Sequence, residues 1–140
     1  MKHLKKRVKI SVVVVLSAVV VIIIAVGAIH FTSRYLDNQY AKLHEGCKPN
    51  QPNHLVVIQN DNAVPDNIVA SRCETLTIKN LDNEDRMIAF GLHEDHVPYD
   101  GVSEQLMSLG QSLTVTLVQT GNFRFHDHVH DEVQATFEVK

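Results

Sequence analysis

The chain has 140 residues, with 13 Lys and Arg against 16 Asp and Glu, a length that holds one membrane segment and one domain of about a hundred residues but no second core. Five basic residues, Lys2, Lys5, Lys6, Arg7 and Lys9, precede the apolar run, every acid follows it from Asp37 on, and from residue 30 onward 8 basic residues face 16 acidic ones, a net of −8 with His neutral. That balance excludes a nucleic-acid footprint, whose phosphates need a basic surface; it suits small cations or a basic partner.

Residues 10–29 run without a charge through Val12-Val13-Val14-Val15 and Val19-Val20-Val21-Ile22-Ile23-Ile24. At about 1.5 Å per residue they span roughly 30 Å, the thickness of a bilayer's hydrocarbon core. The basic residues 1–9 hold that end in the cytoplasm by the positive-inside rule, so the domain is expected outside, extracellular or periplasmic, on a single-pass anchor. Val26-Gly27-Ala28 also offers a cleavage site, and the alternative is a signal peptide, although signal cores usually run only about 7 to 15 residues. Either reading exports the domain.

Residues 30–53 read as stalk and linker. Phe31, Tyr35, Leu36, Tyr40 and Leu43 recur with a loose helical period that ends at Gly46, and Pro49, Asn50, Pro52 and Asn53 favour turns. From residue 54 to 140 the pattern changes to short β segments bounded by turn residues. Segments 55–59, 67–71, 74–79, 87–90, 112–118, 123–125 and 135–139 each present one apolar face, as in the alternation of Leu113, Val115 and Leu117 with Thr114 and Thr116. One open sheet cannot bury all these faces, so the expected fold is all-β, a Greek-key sandwich or barrel. Residues 91–109 lack a clean period and read as a long surface loop with a turn of helix at 103–107.

The two cysteines, Cys47 and Cys73, both fall in the exported part. An even count in an oxidising compartment favours a disulfide, against the alternative of two unrelated thiols.

Chemistry concentrates in two clusters, His126-Asp127-His128-Val129-His130-Asp131-Glu132 and His93-Glu94-Asp95-His96. Imidazole with carboxylate suits Zn, Ni and above all Cu(II). On a strand, residues two apart share a face at roughly 6.6 Å, close enough for His126 and His128 to meet on one ion, whereas His130 joins them only if the chain bends after Asp127. Continuing the alternation from Phe123 and Phe125 puts Asp127 inward and His126 and His128 outward. Lone His44 and His54 read as solvated. No nucleophile stands out, and the paired acids Glu94 with Asp95 and Asp131 with Glu132 diverge on a strand, so the residues favour binding over catalysis.

Val64-Pro65, Ile68-Val69-Ala70, Thr75-Leu76-Thr77-Ile78-Lys79-Asn80, Leu109-Gly110-Gln111-Ser112 and Gly121-Asn122-Phe123-Arg124-Phe125 resemble successive signature segments of cupredoxins, the blue-copper superfamily. The resemblance covers residues 54–140 and implies a Greek-key sandwich with a copper site at one end. It also supports the Cys47–Cys73 pairing, because Cys73 opens the strand expected beside the one that follows Cys47. At the four ligand slots the pattern departs from the family: Arg86 stands near the first His, Asp127 replaces the Cys, His130 falls on the second His, and Val133 replaces the axial Met. A blue-copper centre needs the thiolate, so ordinary blue-copper electron transfer is excluded.

The sequence therefore leads to a membrane-anchored, cupredoxin-like domain outside the cytoplasm. Its expected ligand is copper, with zinc or no metal as alternatives, held through His126, His128, His130 and Asp127 with His93 and His96 as further ligands. Its role would be that of a carrier, sensor or assembly component. The competing reading is a metal-free sandwich that meets a protein partner through an acidic, His-rich, pH-responsive face. An enzyme would need an open coordination position and a substrate cleft, neither of which the sequence displays.

Overall fold

A computed structural model describes residues 2–48 and 50–140, with side chains described from Val15 onward. The basic tail side chains and Pro49 lie outside the described residues. The chain divides into two units, Met1–Ala41 and Lys42–Lys140.

The first unit is carried by helix α1, Lys2–Leu43. Val and Ile are mediocre helix formers in water, whereas in an apolar solvent a helix is the form in which such a run satisfies its own backbone groups. Every side chain from Val15 to Leu43 is exposed, and residues Val15–Leu43 form a helix long and apolar enough to cross a membrane. The helix does not break at residue 29, where the sequence separates span from stalk; it continues to Leu43 and stops before Gly46, whose φ of +83° is a conformation glycine adopts freely.

The second unit is a two-sheet sandwich. One sheet has the order β2-β1-β4-β8, built from β1 Asn53–Gln59, β2 Asn62–Val64, β4 Thr75–Asn80 and β8 Ser112–Thr116. The other has the order β3-β10-β9-β5-β6, from β3 Asn67–Ala70, β5 Arg86–Leu92, β6 Asp95–His96, β9 Gly121–Asp127 and β10 Gln134–Val139, with β7 Glu104–Met107 also pairing β5. The β1–β4 and β3–β10 pairs are parallel and the rest antiparallel. Alternate residues of both sheets meet in the core: Ile58, Leu76, Ile78 and Val115 from the first, and Ile88, Phe90, Phe125, Phe137 and Val139 from the second.

Residues 91–109 differ from the loop and helical turn expected of them. They form β6 and β7, because β5 would otherwise present an open edge; β7 fills it with Met107 opposite Arg86 and Glu104 opposite Ala89. A free β-strand edge overrides the local pattern here.

His44 and His54 are not the solvated histidines their isolation suggests. His44 Nε2 lies 2.9 Å from Asp100, and His54 Nε2 lies 2.7 Å from Glu74. The hydrogen bond from His54 holds the Glu74 carboxyl below its ordinary range. Arg72 donates to the carbonyls of Leu43 and Glu45, and the Cys47–Cys73 disulfide is formed. These ties fasten residues 43–47 to one end of the sandwich.

At the other end Arg86, with 1% of its side chain exposed, reaches three carboxylates, Asp61, Asp82 and Asp127. Burial opposes its charge, but the hydrogen bonds to Asp61, Asp127 and Asp82 outweigh that and hold its pKa above the ordinary value. Asp127 is itself fully buried and accepts from the backbone N–H groups of Met87 and Val129, each at 3.1 Å.

Two outcomes follow for stability. Reducing the disulfide, which closes a separation of 26 residues, lowers unfolding free energy by about 3 kcal/mol on the chain-entropy account; identical urea midpoints with and without reductant would contradict it. Arg86→Met strands Asp127 as an unpaired buried charge and costs about 3 to 5 kcal/mol, part of which Arg86→Met with Asp127→Leu recovers. A loss no larger than that of an exposed surface substitution would show that the guanidinium is not the tie between these elements.

Candidate metal centre

Strand β9 carries His126 on the face turned away from the core, opposite Ala89 of β5, while Asp127 faces inward opposite Ile88. The alternation read from the sequence thus holds, yet His126 is fully buried on its outward face. The cover comes from the β5–β6 hairpin. Gly91 pairs with His96 and Leu92 with Asp95, and His93 lies in the turn between them. Gly91 has φ +94°, and a Cβ there would meet the Asp95 carbonyl oxygen at 2.6 Å and the Val97 nitrogen at 2.8 Å. Only glycine lets the hairpin fold this tightly. Small Ala89 and Gly91 leave room above β5 for imidazoles from either side.

Four rings gather there. His93 stacks on His128 with centroids 4.8 Å apart, and His96 lies 4.8 Å from His128 and 5.2 Å from His126. The His93–His126 distance is 5.6 Å, and the remaining two pairs are at 6.4 Å. His93, His126 and His128 each bring a ligating nitrogen within 4.8 Å of the other two, and His96, Glu104 and His128 form a second such group. His128 belongs to both.

The hydrogen bonds fix which nitrogens carry protons. His126 Nδ1 lies 3.1 Å from the Gly91 carbonyl oxygen, which can only accept, so Nδ1 bears the hydrogen and Nε2 the lone pair. That Nε2 is buried and has no hydrogen-bond partner among the described residues. Burial lowers the His126 pKa, aided by the neighbouring His96 and His93 and opposed by the Gly91 bond, so the ring stays neutral. On His96, Nδ1 meets Glu104 at 2.7 Å, which leaves Nε2 as acceptor for His128 Nδ1 at 3.1 Å. A cation placed between those two nitrogens would displace one proton.

The donor set fits a divalent metal on two counts: a neutral imidazole with a buried, unpartnered lone pair, and further imidazoles converging on it. The backbone carbonyl on His126 and the carboxylate on His96 are the groups that normally orient ligating histidines. Nitrogen-rich sets of this kind suit Cu(II), Zn and Ni.

The other residues expected at the site lie elsewhere. Asp127 is held by Arg86 at 3.2 Å on the core side of the sheet. His130, 36% exposed, pairs with Glu84 at 3.5 Å and Glu132 at 3.9 Å. Val133 is fully buried among core residues. Arg86 and Asp127, which the resemblance puts at two ligand slots of the family, meet each other instead, and both cysteines are joined to one another. Glu104 and the Gly91 carbonyl escaped the sequence reading, because the pairing of β7 and β6 on β5 that brings them to His96 and His126 leaves no local periodicity.

No family model and no curated protein matches the sequence. Among solved structures the second unit is similar to amicyanin. A variant in its Cu(I) form superposes with TM-score 0.52 at 15% identity over 63% of this chain and 82% of that one. An oxidised variant superposes with TM-score 0.53 at 16% identity over 70% and 89%, and a reduced tryptophan-to-tyrosine variant with TM-score 0.53 at 15% over 70% and 89%. At such identity the likeness speaks for the fold: behind an N-terminal apolar helix stands a cupredoxin-like β-sandwich that lacks the family's cysteine ligand.

Proposed function

We propose that this chain is a membrane-anchored domain, held outside the cytoplasm, that binds Cu(II) or a related divalent ion such as Zn through His93, His96, His126 and His128. The observation that carries the reading is His126 Nε2, a buried lone pair without a hydrogen-bond partner among the described residues, on a ring packed beside further imidazoles. Leaving such a nitrogen unsatisfied costs about 1 to 3 kcal/mol, which a bound ion offsets. The structural neighbours named for their copper forms support copper among the candidates. The exposed apolar side chains of α1 and the basic residues that precede its uncharged run support the anchor and its orientation.

In this arrangement the chain's residues divide the work. His126 is fixed by Gly91 and stays neutral; His93, 45% exposed at the hairpin turn, and His128 lie on the accessible side. A site with one rigid buried ligand and several reachable ones can take up and release an ion, which is what a carrier requires. When bound, the metal would supply a positive charge and a cross-link between β9 and the β5–β6 hairpin.

His126→Ala and His128→Ala each weaken Cu(II) binding roughly tenfold or more, while His130→Ala, His44→Ala and His54→Ala leave it near the parent value, as read by competition titration of the full chain. Bound Cu(II) gives no intense thiolate colour. If the double variant His126→Ala, His128→Ala binds as tightly as the parent, the site is elsewhere; if the parent takes up no divalent ion at micromolar concentration, the metal-free interaction module replaces this reading.

Because folding lowers the His126 pKa, the unfolded chain binds a proton at His126 near pH 6.5 while the folded chain does not. Stability of chelator-treated protein therefore falls as pH drops through about 6.5 and levels off only below the depressed folded value. Thermal midpoints across that range should show a shallower fall for His126→Gln than for the parent; equal slopes would contradict the burial of a neutral ring.

A further inference from the structure

Beside the imidazole cluster, and sharing the β5–β6 hairpin with it, lies a cavity of about 610 Å³. Such volumes are typical of small-molecule sites. Val97 and Pro98 give it apolar walls with the core residues Phe90 and Phe123 behind, and Arg124, Asp95 and Glu138 are the charged residues that line it. Arg124 stands two residues before His126 on the outward row of β9, opposite Thr136. Its Nη2 donates to Gln134, but its buried Nε has no partner among the described residues. Glu138 lies 3.9 Å from Lys140, whereas Asp95 makes no ion pair among the described residues. The lining therefore holds a guanidinium with N–H donors beyond the one given to Gln134 and one carboxylate without an ion pair among the described residues, set beside apolar surface.

We propose that this cavity is a second binding site, for a small zwitterion with an apolar body, that is, an apolar α-amino acid. Its carboxylate meets the Arg124 guanidinium, its ammonium meets Asp95, and its side chain lies against Val97 and Pro98. A bare carboxylate would leave Asp95 unopposed and face the negative charge of Glu138; a bare amine would leave the Arg124 donor unpaired. A zwitterion answers both, and the apolar walls favour a hydrophobic side chain over a polar one. The site stands apart from the metal reading, since none of these contacts uses an imidazole.

The test uses the full chain in lipid nanodiscs, treated with chelator, with empty nanodiscs as the blank. Three probes are titrated by fluorine NMR: 4-fluorophenylalanine, 4-fluorophenylacetate, which lacks the ammonium, and 4-fluorophenethylamine, which lacks the carboxylate. The amino acid should bind at least roughly tenfold more tightly than either, one well-made charged contact being worth about 1.5 kcal/mol or more. Arg124→Gln should bring it down to the level of the amine, and Asp95→Asn to that of the acetate. Gln134→Ala, which removes only the neighbour of Arg124 Nη2, should keep the preference and so separates recognition from loss of fold. Thr136→Trp, which fills the floor of the cavity, should abolish binding of all three probes. Equal affinity for the three probes, saturable binding of none at millimolar concentration, or an unchanged preference in Arg124→Gln would each overturn the assignment.

Discussion

The buried ion pair between Arg86 and Asp127 determines where everything else at this end of the sandwich can go. It joins the first residue of β5 to the last of β9, and through Asp82 and Asp61 it draws in the turns after β4 and β1. A guanidinium with five N–H donors can serve several carboxylates at once, which lysine's point charge cannot do with the same geometry. With Asp127 committed to that role on the core side, the next outward position, His126, is aimed at the opposite face of the sheet. The ligand slots that the cupredoxin resemblance marks at Arg86 and Asp127 are thus filled by a structural ion pair, and the imidazoles assemble one layer further out.

The β5–β6 hairpin completes the outer layer. It folds over β5 because Gly91 permits a close backbone approach, and it covers His126 because Ala89 and Gly91 beneath are too small to hold the rings apart. Burial then keeps His126 neutral while the Gly91 carbonyl selects its tautomer. Packing, protonation and donor direction are consequences of one short segment, residues 89–96, lying on one strand.

Much of this was legible in the sequence. The N-terminal apolar helix, the two-sheet fold, the Cys47–Cys73 bridge and the inward turn of Asp127 all follow from length, period and residue type, which act locally or through a single alternation. The cupredoxin likeness was legible too, in strand and turn segments taken in order. What sequence could not supply was the meeting of distant parts. Nothing in residues 91–109 announces β6 and β7, since their structure comes from the open edge of β5. The sequence names His93 and His96 beside His126 and His128, but how the rings gather, and the separate place of His130 beside Glu84, depend on that same long-range pairing.

The inner ion pair and the outer imidazole cluster make opposite demands on a metal, one closing a site with charge and the other offering neutral nitrogen. Anomalous diffraction from copper-loaded crystals of the protein distinguishes them directly. The account predicts an anomalous peak within bonding distance of His126 Nε2, flanked by His93 and His128, with Arg86 still on Asp127. A peak beside Asp127 with Arg86 displaced, or one at His130 alone, would contradict it.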